Sequence, residues 1–176
     1  MVVSLRNRMQ VLIRPVQPGD KPRLQRGLRR LSPETVRRRF LAAKPVFSEQ
    51  ELRYLTEVDG VDHLALVAVL AADPDQVVGV ARCVRQEPGG DTAEFAIVVG
   101  DALQGEGLGT VLAGALAEAA CGVGIRRFSA TTLADNEAVE RLLGALATRL
   151  EHNALSGGVR ELIAELPDCA SAARAA

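Results

Sequence analysis

Apolar residues in the first third of the chain follow the spacing of one strand and then of helices. A strand-like run, "VLIRP", occupies residues 11–15, and the next segment, "PGDKPRLQRGLRRL", carries leucines at helical spacing. Ser32 before a proline and Ser48 before glutamates have the form of helix N-caps. We therefore expect one strand followed by three helices, the second running to Phe40 and the third ending near Asp59.

The middle of the chain has the composition of β-strands. Three such runs cover residues 63–71, 76–86 and 91–99, and the turn-forming sequences "ADPD" and "EPGG" separate them. This order predicts an antiparallel meander. From Leu108 to about Cys121 the apolar positions return to helical spacing.

The last part of the chain adds a strand, a helix and a hairpin. We expect a strand at 126–133, a helix over "NEAVERLLGALA", and a hairpin formed by "TRLEHNA" and "VRELIAEL". The whole pattern predicts a single α/β (α+β) domain over residues 1–166, with a mixed, mostly antiparallel sheet flanked by helices. Residues 167–176 are expected to form a flexible tail.

The overall composition is that of a soluble globular domain. Of the 176 residues, 48% are hydrophobic and 24% are charged, and the formal net charge is −1. The longest apolar run is too short to span a bilayer, the N-terminus lacks the pattern of a signal peptide, and the charge balance gives no general attraction to nucleic acid or anionic lipid. We therefore predict a cytoplasmic protein without a membrane partner, and the sequence leaves the oligomeric state open.

Cysteine and histidine positions argue against a metal site. Cys83, Cys121 and Cys169 have no metal-like spacing, and His63 and His152 lie far apart in sequence. The odd number of cysteines also argues against a disulfide framework. We expect the first two cysteines to be small core residues and His63 to satisfy a backbone partner.

A glycine-rich segment, "QGEGLGT" at residues 104–110, lies between the third β-run and the following helix. The N–H groups of such a loop point at one spot, and the helix dipole adds positive potential there, so the segment is suited to bind a diphosphate. Glycine leaves room for the anion to approach and adopts positive φ without strain. A tight turn without a ligand is the alternative interpretation.

The spacing of the glycines differs from two common phosphate loops. The order Gly105-x-Gly107-x-Gly109 is not the dinucleotide fingerprint G-x-G-x-x-G, and no lysine precedes Thr110 as a P-loop requires. The segment instead resembles the acetyl-CoA loop of the GNAT superfamily of N-acetyltransferases, Q/R-x-x-G-x-G/A, which Gln104, Gly107 and Gly109 match.

The resemblance to this family extends over almost the whole chain in the order of elements. The stretches "LSPETVRRRF", "DHLALVAV" and "VARCVRQ" are further similar to the acetyltransferase domain of bacterial protein lysine acetyltransferases. The resemblance implies a sheet splayed between the fourth and fifth predicted strands, acetyl-CoA as co-substrate, and no metal.

The resemblance also implies which residues hold acetyl-CoA. The loop would bind the pyrophosphate, and a backbone N–H near the end of the preceding strand would polarise the thioester carbonyl. The cofactor-binding residues expected on this basis are Val99, Gln104, Gly105, Glu106, Gly107, Leu108, Gly109, Thr110 and Asn136.

Glu94 is the expected general base. It lies in the strand that leads to the loop, where some lysine acetyltransferases carry a catalytic glutamate, and an ammonium acceptor must lose a proton before it attacks a thioester. Its neighbours Ala93, Phe95 and Ile97 are apolar, an environment that suits a proton acceptor. A solvent-exposed glutamate without a catalytic role is the alternative.

Two later positions bear on the mechanism. Asn136 would bond the pantetheine arm of CoA, although it is equally a good helix N-cap. Leu143 stands seven residues later, where the family often has a tyrosine as general acid. The proton for the thiolate is therefore expected from water, from the product amine, or from a group elsewhere such as Tyr54.

Arginines crowd residues 23–39. Solvated helix faces explain them better than nucleic-acid contacts, because only 3% of the residues are aromatic and no stacking motif is present. A third interpretation is that one or two of them reach the CoA phosphates or an acidic partner. They are Arg23, Arg26, Arg29, Arg30, Arg37, Arg38 and Arg39.

The sequence thus predicts an enzyme that moves an acetyl group from acetyl-CoA to a primary amine, in the first place a protein lysine side chain. A small-amine N-acetyltransferase is a second hypothesis. A catalytically weak acyl-CoA-binding sensor is a third, because the family's frequent tyrosine is missing.

Overall fold

Strands and helices follow one another in nearly the order that the hydrophobic pattern predicts. The computed structural model describes residues 1–154 and 156–168. The strands are β1 (Val2–Ser4), β2 (Gln10–Pro15), β3 (His63–Leu70), β4 (Asp73–Arg85), β5 (Thr92–Val99), β6 (Arg127–Leu133), β7 (Arg149–Ala154) and β8 (Val159–Glu165). The helices are α1 (Lys21–Arg29), α2 (Pro33–Phe40), α3 (Glu49–Thr56), α4 (Leu108–Gly122) and α5 (Glu137–Leu146).

The strands form one sheet in the order β1-β2-β3-β4-β5-β6-β8-β7. Neighbouring strands are antiparallel, except for the parallel pair β5 and β6. That pair is matched only over Thr92–Glu94, opposite Arg127–Ser129. Beyond Glu94 the two strands separate, which confirms the expected α/β fold and its splay between the fourth and fifth predicted strands, here β5 and β6.

Three details of the sequence-based assignment were wrong. The short strand β1 was missed, because three residues are too few to show an alternating pattern. Strand β4 begins at Asp73, which pairs with Leu70, so most of the predicted "ADPD" turn is strand. Cys121, expected as a core thiol, is disulfide-bonded, and an odd number of cysteines gave no pair to predict. Most of the expected tail, residues 169–176, lies outside the described part of the chain.

Two apolar layers cover the sheet. On one face, α4 and α5 pack through leucines and alanines that are fully buried, including Leu108, Leu112 and Leu116. On the other face, a smaller cluster joins α1 and α3 to β3 and β4 through residues such as Leu24 and Val67. Burial of these side chains supplies the main stabilising free energy, about 25 cal/mol for each Å² of apolar surface removed from water.

Gly79 on β4 brings the first turn of α4 close to the sheet. A β-carbon at this position would lie 3.3 Å from a methyl of Leu112 and 3.4 Å from one of Leu108. The two leucines therefore occupy the space that any larger residue would need. This close packing fixes where α4 begins, and so it positions the glycine loop that precedes the helix.

A buried ion pair joins the end of β2 to the start of α1. Asp20 is fully buried and accepts two hydrogen bonds of 2.7 Å from the guanidinium of Arg14. The backbone N–H of Gln17 and the side chain of Arg23 also donate to it, at 2.9 and 3.2 Å. Burial is the largest single effect and disfavours the carboxylate, but the hydrogen bonds from Arg14 and Gln17 and the charges of Arg14 and Arg23 together outweigh it and hold the pKa of Asp20 below its usual range.

Within the described residues, no helix combines the length and apolarity that crossing a membrane requires.

Candidate active site

A cleft of about 850 Å³ opens where β5 and β6 separate. Its walls are β5, the glycine loop, the second half of β6, and faces of α2 and α5. Most of the residues expected from the sequence line it together: Glu94, Val99, Gln104, Gly105, Gly107, Gly109, Thr110 and Asn136. Glu106 and Leu108 do not line it, and Leu108 is fully buried, so it can offer a ligand only its backbone N–H.

The glycine loop has the backbone conformation that the sequence predicts for an anion site. Gly105 and Gly107 adopt φ values of +79° and +90°, in the left-handed region that favours glycine. Their N–H groups have no protein acceptor among the described residues. The first N–H groups of α4, from Leu108 onwards, also lack intrahelical acceptors because they begin the helix. Several unpaired donors thus converge at the positive end of a helix.

Arg6 reaches the glycine loop from the N-terminal part of the chain. Its backbone N–H donates to the carbonyl of Glu106 at 3.2 Å, and its Nη1 donates to the carbonyl of Gly105 at 3.2 Å. The side chain also lines the cleft. Sequence reasoning missed this cation because 99 residues separate it from its partner and no local motif marks it.

The end of β5 presents an unpaired backbone edge to the cleft. Gly100 donates its N–H to Val78 on β4. Since successive N–H groups along a strand point to alternate sides, the N–H of Val99 points to the opposite side, toward the cleft. The carbonyl of Val99 points the same way and accepts 3.1 Å from Gln104 Nε2. The geometry therefore agrees with the expected role of this N–H toward a thioester carbonyl.

A hydrogen-bonded network ties α2 to the glycine loop. Asp101 accepts from the N–H and hydroxyl of Ser32, at 2.9 and 2.7 Å, and from the hydroxyl of Thr35 at 2.6 Å. Gln104 Nε2 donates to the same Thr35 hydroxyl at 3.1 Å. Burial disfavours the charge on Asp101, but these hydrogen bonds lower its pKa. The predicted N-cap Ser32 thus also fixes its helix against the loop.

Glu94 lies where β5 and β6 part and is the last residue of β5 that pairs with β6, opposite Ser129. Its side chain is exposed and lines the cleft. Its neighbours Ala93 and Phe95 are buried on the other face of the sheet, because side chains alternate along a strand. The apolar surroundings expected from the sequence therefore do not enclose the carboxylate, which is open to an approaching acceptor.

Asn136 is 9% exposed and lines the cleft, at the N-cap position of α5. Its side chain makes no capping hydrogen bond and instead donates to Thr132 Oγ1 at 3.0 Å.

Leu143 is fully buried in the core. Tyr54 is 55% exposed and packs against His63 in a tilted arrangement, with 4.8 Å between ring centroids. It does not line the cleft, so no tyrosine of the described chain is placed to protonate a thiolate there.

The arginines of residues 23–39 have different surroundings. Arg23 pairs with Asp20 and Asp75, and Arg37 and Arg38 pair with Glu34 on the surface of α2. Arg38 and Arg39 line the cleft.

In the described residues, no three His, Cys, Asp or Glu side chains come together as a group that could hold a metal ion.

Residues 33–165 match the model of the Acetyltransferase (GNAT) family. The chain is 39% identical over 144 residues to Acetyltransferase Pat of Mycolicibacterium smegmatis, which is 82% of this chain and 43% of that protein. It is 34% identical over 146 residues to Acetyltransferase PA5475 of Pseudomonas aeruginosa, 82% of this chain and 78% of that protein. The crystal structure of the GNAT domain of S. lividans PAT superposes with a TM-score of 0.82 at 30% identity, covering 94% of this chain and 96% of that one.

The chain spans less than half the length of the first of these relatives. The family match nevertheless covers most of its described residues, including β5, the glycine loop and α5. On the evidence of its fold, its cleft and these similarities, the chain belongs to the GNAT family of acetyltransferases.

Proposed function

We propose that the protein transfers an acetyl group from acetyl-CoA to the amine of a protein lysine. The observation that carries this proposal is the position of Glu94, an exposed carboxylate in the same cleft as the glycine loop. An exposed base is within reach of an amine on a long side chain of another protein. The relatives named as acetyltransferases support the reaction class.

We assign a residue to each part of the proposed reaction except the protonation of the thiolate. The loop N–H groups and Arg6 bind the pyrophosphate of acetyl-CoA, and the N–H of Val99 donates to the thioester oxygen as negative charge develops there. Glu94 accepts a proton from the acceptor nitrogen, which forms a bond to the carbonyl carbon while the carbon–sulfur bond breaks. Because Leu143 stands where the family often has a tyrosine and cannot donate a proton, solvent or the product amine supplies the proton that the thiolate takes up.

Gly107→Val should weaken CoA binding by roughly tenfold or more, the equivalent of about 1.4 kcal/mol. A β-carbon at Gly107 has only Arg6 Nε near it, at 4.0 Å, so a branched side chain would project into the space above the loop that a diphosphate needs. Isothermal titration calorimetry with CoA measures the effect.

The matched control for this variant is Gly124→Val at the end of α4. Gly124 has a similar left-handed φ of +84° and open space around it, but it does not line the cleft. Both variants carry backbone strain of about 1–2 kcal/mol. If the two folded variants bind CoA equally well, the loop is not the pyrophosphate site.

Labelled acetyl-CoA tests the acceptor. The protein is incubated with the label and a cell lysate, modified peptides are identified by mass spectrometry, and thiol release is followed in parallel with a polyamine as acceptor. Label on lysine side chains is the expected result. Thiol release with the polyamine alone would favour a small-amine acetyltransferase, and CoA binding without thiol release to any acceptor would favour a sensor.

A further inference from the structure

A second cavity, of about 320 Å³, lies on the same face of the sheet as Glu94. It is enclosed by α1, β4, β5 and the segment that follows β5, and it shares the residues Ala96 and Val98 with the cleft. The lining is largely apolar and includes Leu24, Leu28, Leu31, Phe40 and Val80. An acceptor that places its amine beside Glu94 therefore meets this cavity next to its reacting group.

Arg39 stands between the two spaces, since it lines both the cleft and the cavity. Within the described residues its guanidinium has no hydrogen bond or ion pair. The guanidinium carbon lies 4.9 Å from the centroid of the Phe40 ring. Burial lowers the pKa of Arg39, while Glu94 acts on it in the opposite direction. Arg39 is thus a partly enclosed cation without a partner.

Arg82 lies in the wall of the same cavity and is only 5% exposed. Its guanidinium donates to the carbonyl of Leu55 at 2.8 Å and lies 3.1 Å from His63 Nε2. No carboxylate of the described chain lies within ion-pair distance of it, whereas most of the other buried or half-buried arginines have one. Burial, and then the charge of Arg39, lower the pKa of Arg82 to about 10, so it is charged at neutral pH.

His63 does not change the charge of this cluster. Burial, and then the charge of Arg82, lower the pKa of His63 to about 4, so the ring is neutral at physiological pH. Its Nε2 accepts from Arg82. Two guanidiniums therefore face the cavity, and among the described residues the one carboxylate that raises the pKa of either is Glu94, which acts on Arg39.

The register of the sheet places Arg82 close to Glu94. Arg82 is opposite Ala96, and Val84 is opposite Glu94, so Arg82 and Glu94 are diagonal neighbours on one face. Such neighbours have Cα atoms roughly 7–8 Å apart. Consecutive residues of an extended peptide are about 3.8 Å apart, which is less than the distance between Glu94 and Arg82, so a residue next to a lysine presented to Glu94 is close enough in the chain to reach the arginines.

We infer that Arg39 and Arg82 bind a carboxylate that the acceptor carries next to its reactive amine, so that the preferred acceptor is a lysine adjacent to an acidic residue. This inference rests on the proposed function and specifies its acceptor. A buried charge without a counter-charge is unfavourable, and a ligand carboxylate would supply the missing partner through charge-assisted hydrogen bonds. The apolar cavity would hold the aliphatic part of the neighbouring side chain.

Binding of matched peptides to the CoA-loaded protein tests this inference without requiring turnover. The probes are peptides that contain Glu-Lys or Lys-Glu, and the same peptides with Gln in place of Glu. All are blocked by an acetyl group at the N-terminus and an amide at the C-terminus, and their lysine side chain is free. We expect the wild type to bind the better Glu peptide about tenfold more tightly than its Gln counterpart, the size of one charge-assisted hydrogen bond. Arg39→Gln should remove this preference, so that the variant binds the Glu and Gln peptides with equal affinity.

Arg37→Gln is the matched control. It removes the same charge from the same helix, but Arg37 is exposed, pairs with Glu34 and lines neither space. This variant should keep the preference. Arg82→Lys keeps a cation without the planar fork, so it should weaken the preference while the fold, checked by circular dichroism, is retained.

If the wild-type protein binds the Glu and Gln peptides with equal affinity, or if the preference survives Arg39→Gln, the inference is wrong. A second pair of acceptors, 5-aminopentanoate and 5-aminopentanamide, separates this outcome from a failure of the proposed function. Acetylation of the lysine peptides without a carboxylate preference leaves the proposed function standing and removes the inference. Acetylation of 5-aminopentanoate but of no lysine peptide would contradict the proposal that the acceptor is a protein lysine, and it would support the proposed carboxylate site.

Discussion

Glu94→Gln should lower kcat by about 10²- to 10⁴-fold, the range that a positioned general base contributes, while the affinity for acetyl-CoA stays nearly unchanged. Glutamine keeps the shape of the side chain but cannot accept a proton from the acceptor. The side chain is exposed and makes no hydrogen bond or ion pair to another described residue, so the variant should fold normally. Steady-state kinetics with the acceptor found by mass spectrometry, together with calorimetry for CoA, measure the two effects.

The pH dependence of this variant distinguishes a base from a binding residue. In Glu94→Gln, which has no carboxylate to accept the proton, the rate should rise with hydroxide as the free amine accumulates, and its pH profile should therefore differ from that of the wild type. Glu118→Gln is the control, an exposed glutamate on α4 that lines neither cavity. Near-normal kcat with the pH profile of the wild type would make Glu94 a bystander.

Asp20→Asn should have the largest effect on stability, a loss of about 3 kcal/mol, because it leaves the guanidinium of Arg14 beside a fully buried neutral side chain. For a domain of this size the expected decrease in Tm is roughly 6–12 °C. Asp75→Asn is the control: that carboxylate pairs with Arg23 at 2.6 Å but is 68% exposed, so its loss should change the stability by no more than about 1 kcal/mol.

The difference between wild type and Asp20→Asn should depend on pH in one direction. The folded-state pKa of Asp20 is lowered, so its contribution is fully present above the unfolded-state pKa of about 3.9 and is lost as the pH falls through the lower folded-state value. Denaturant unfolding at neutral pH and at successively lower pH values measures this. A difference that stays constant on acidification would show that the ion pair is not its cause.

Local sequence patterns were sufficient for most of the fold because each element carries its own signal. The N-caps at Ser32 and Ser48 both form as predicted, with Ser48 in a reciprocal box with Glu51. The glycine spacing around Gly107 likewise marked the strand-to-helix loop correctly. These are interactions within a few residues of one another, and they depend little on the rest of the chain.

The remaining features depend on contacts between distant segments. Arg6 and Asp101 act on the candidate site through partners 66 to 99 residues away, and no periodicity or motif records such pairings. The sequence explains Asn136 equally well as a helix N-cap and as a CoA-binding residue. Only the position of Thr132 shows that the amide of Asn136 donates a hydrogen bond to the Thr132 hydroxyl instead of capping the helix. The charge surplus at Arg39 and Arg82 appears only when α2 is placed over β4 and β5.

The link from Asp101 to Ser32 and Thr35 restricts how the protein can be re-engineered. Exchanging the helical segment between β2 and β3 for that of a relative is an obvious way to change the acceptor, because this segment walls the second cavity. A transplanted segment without these two hydroxyls would remove hydrogen bonds from the carboxylate of Asp101 and from the amide of Gln104. Chimeras should therefore keep these two hydroxyls, or replace Asp101 and Gln104 together with the segment.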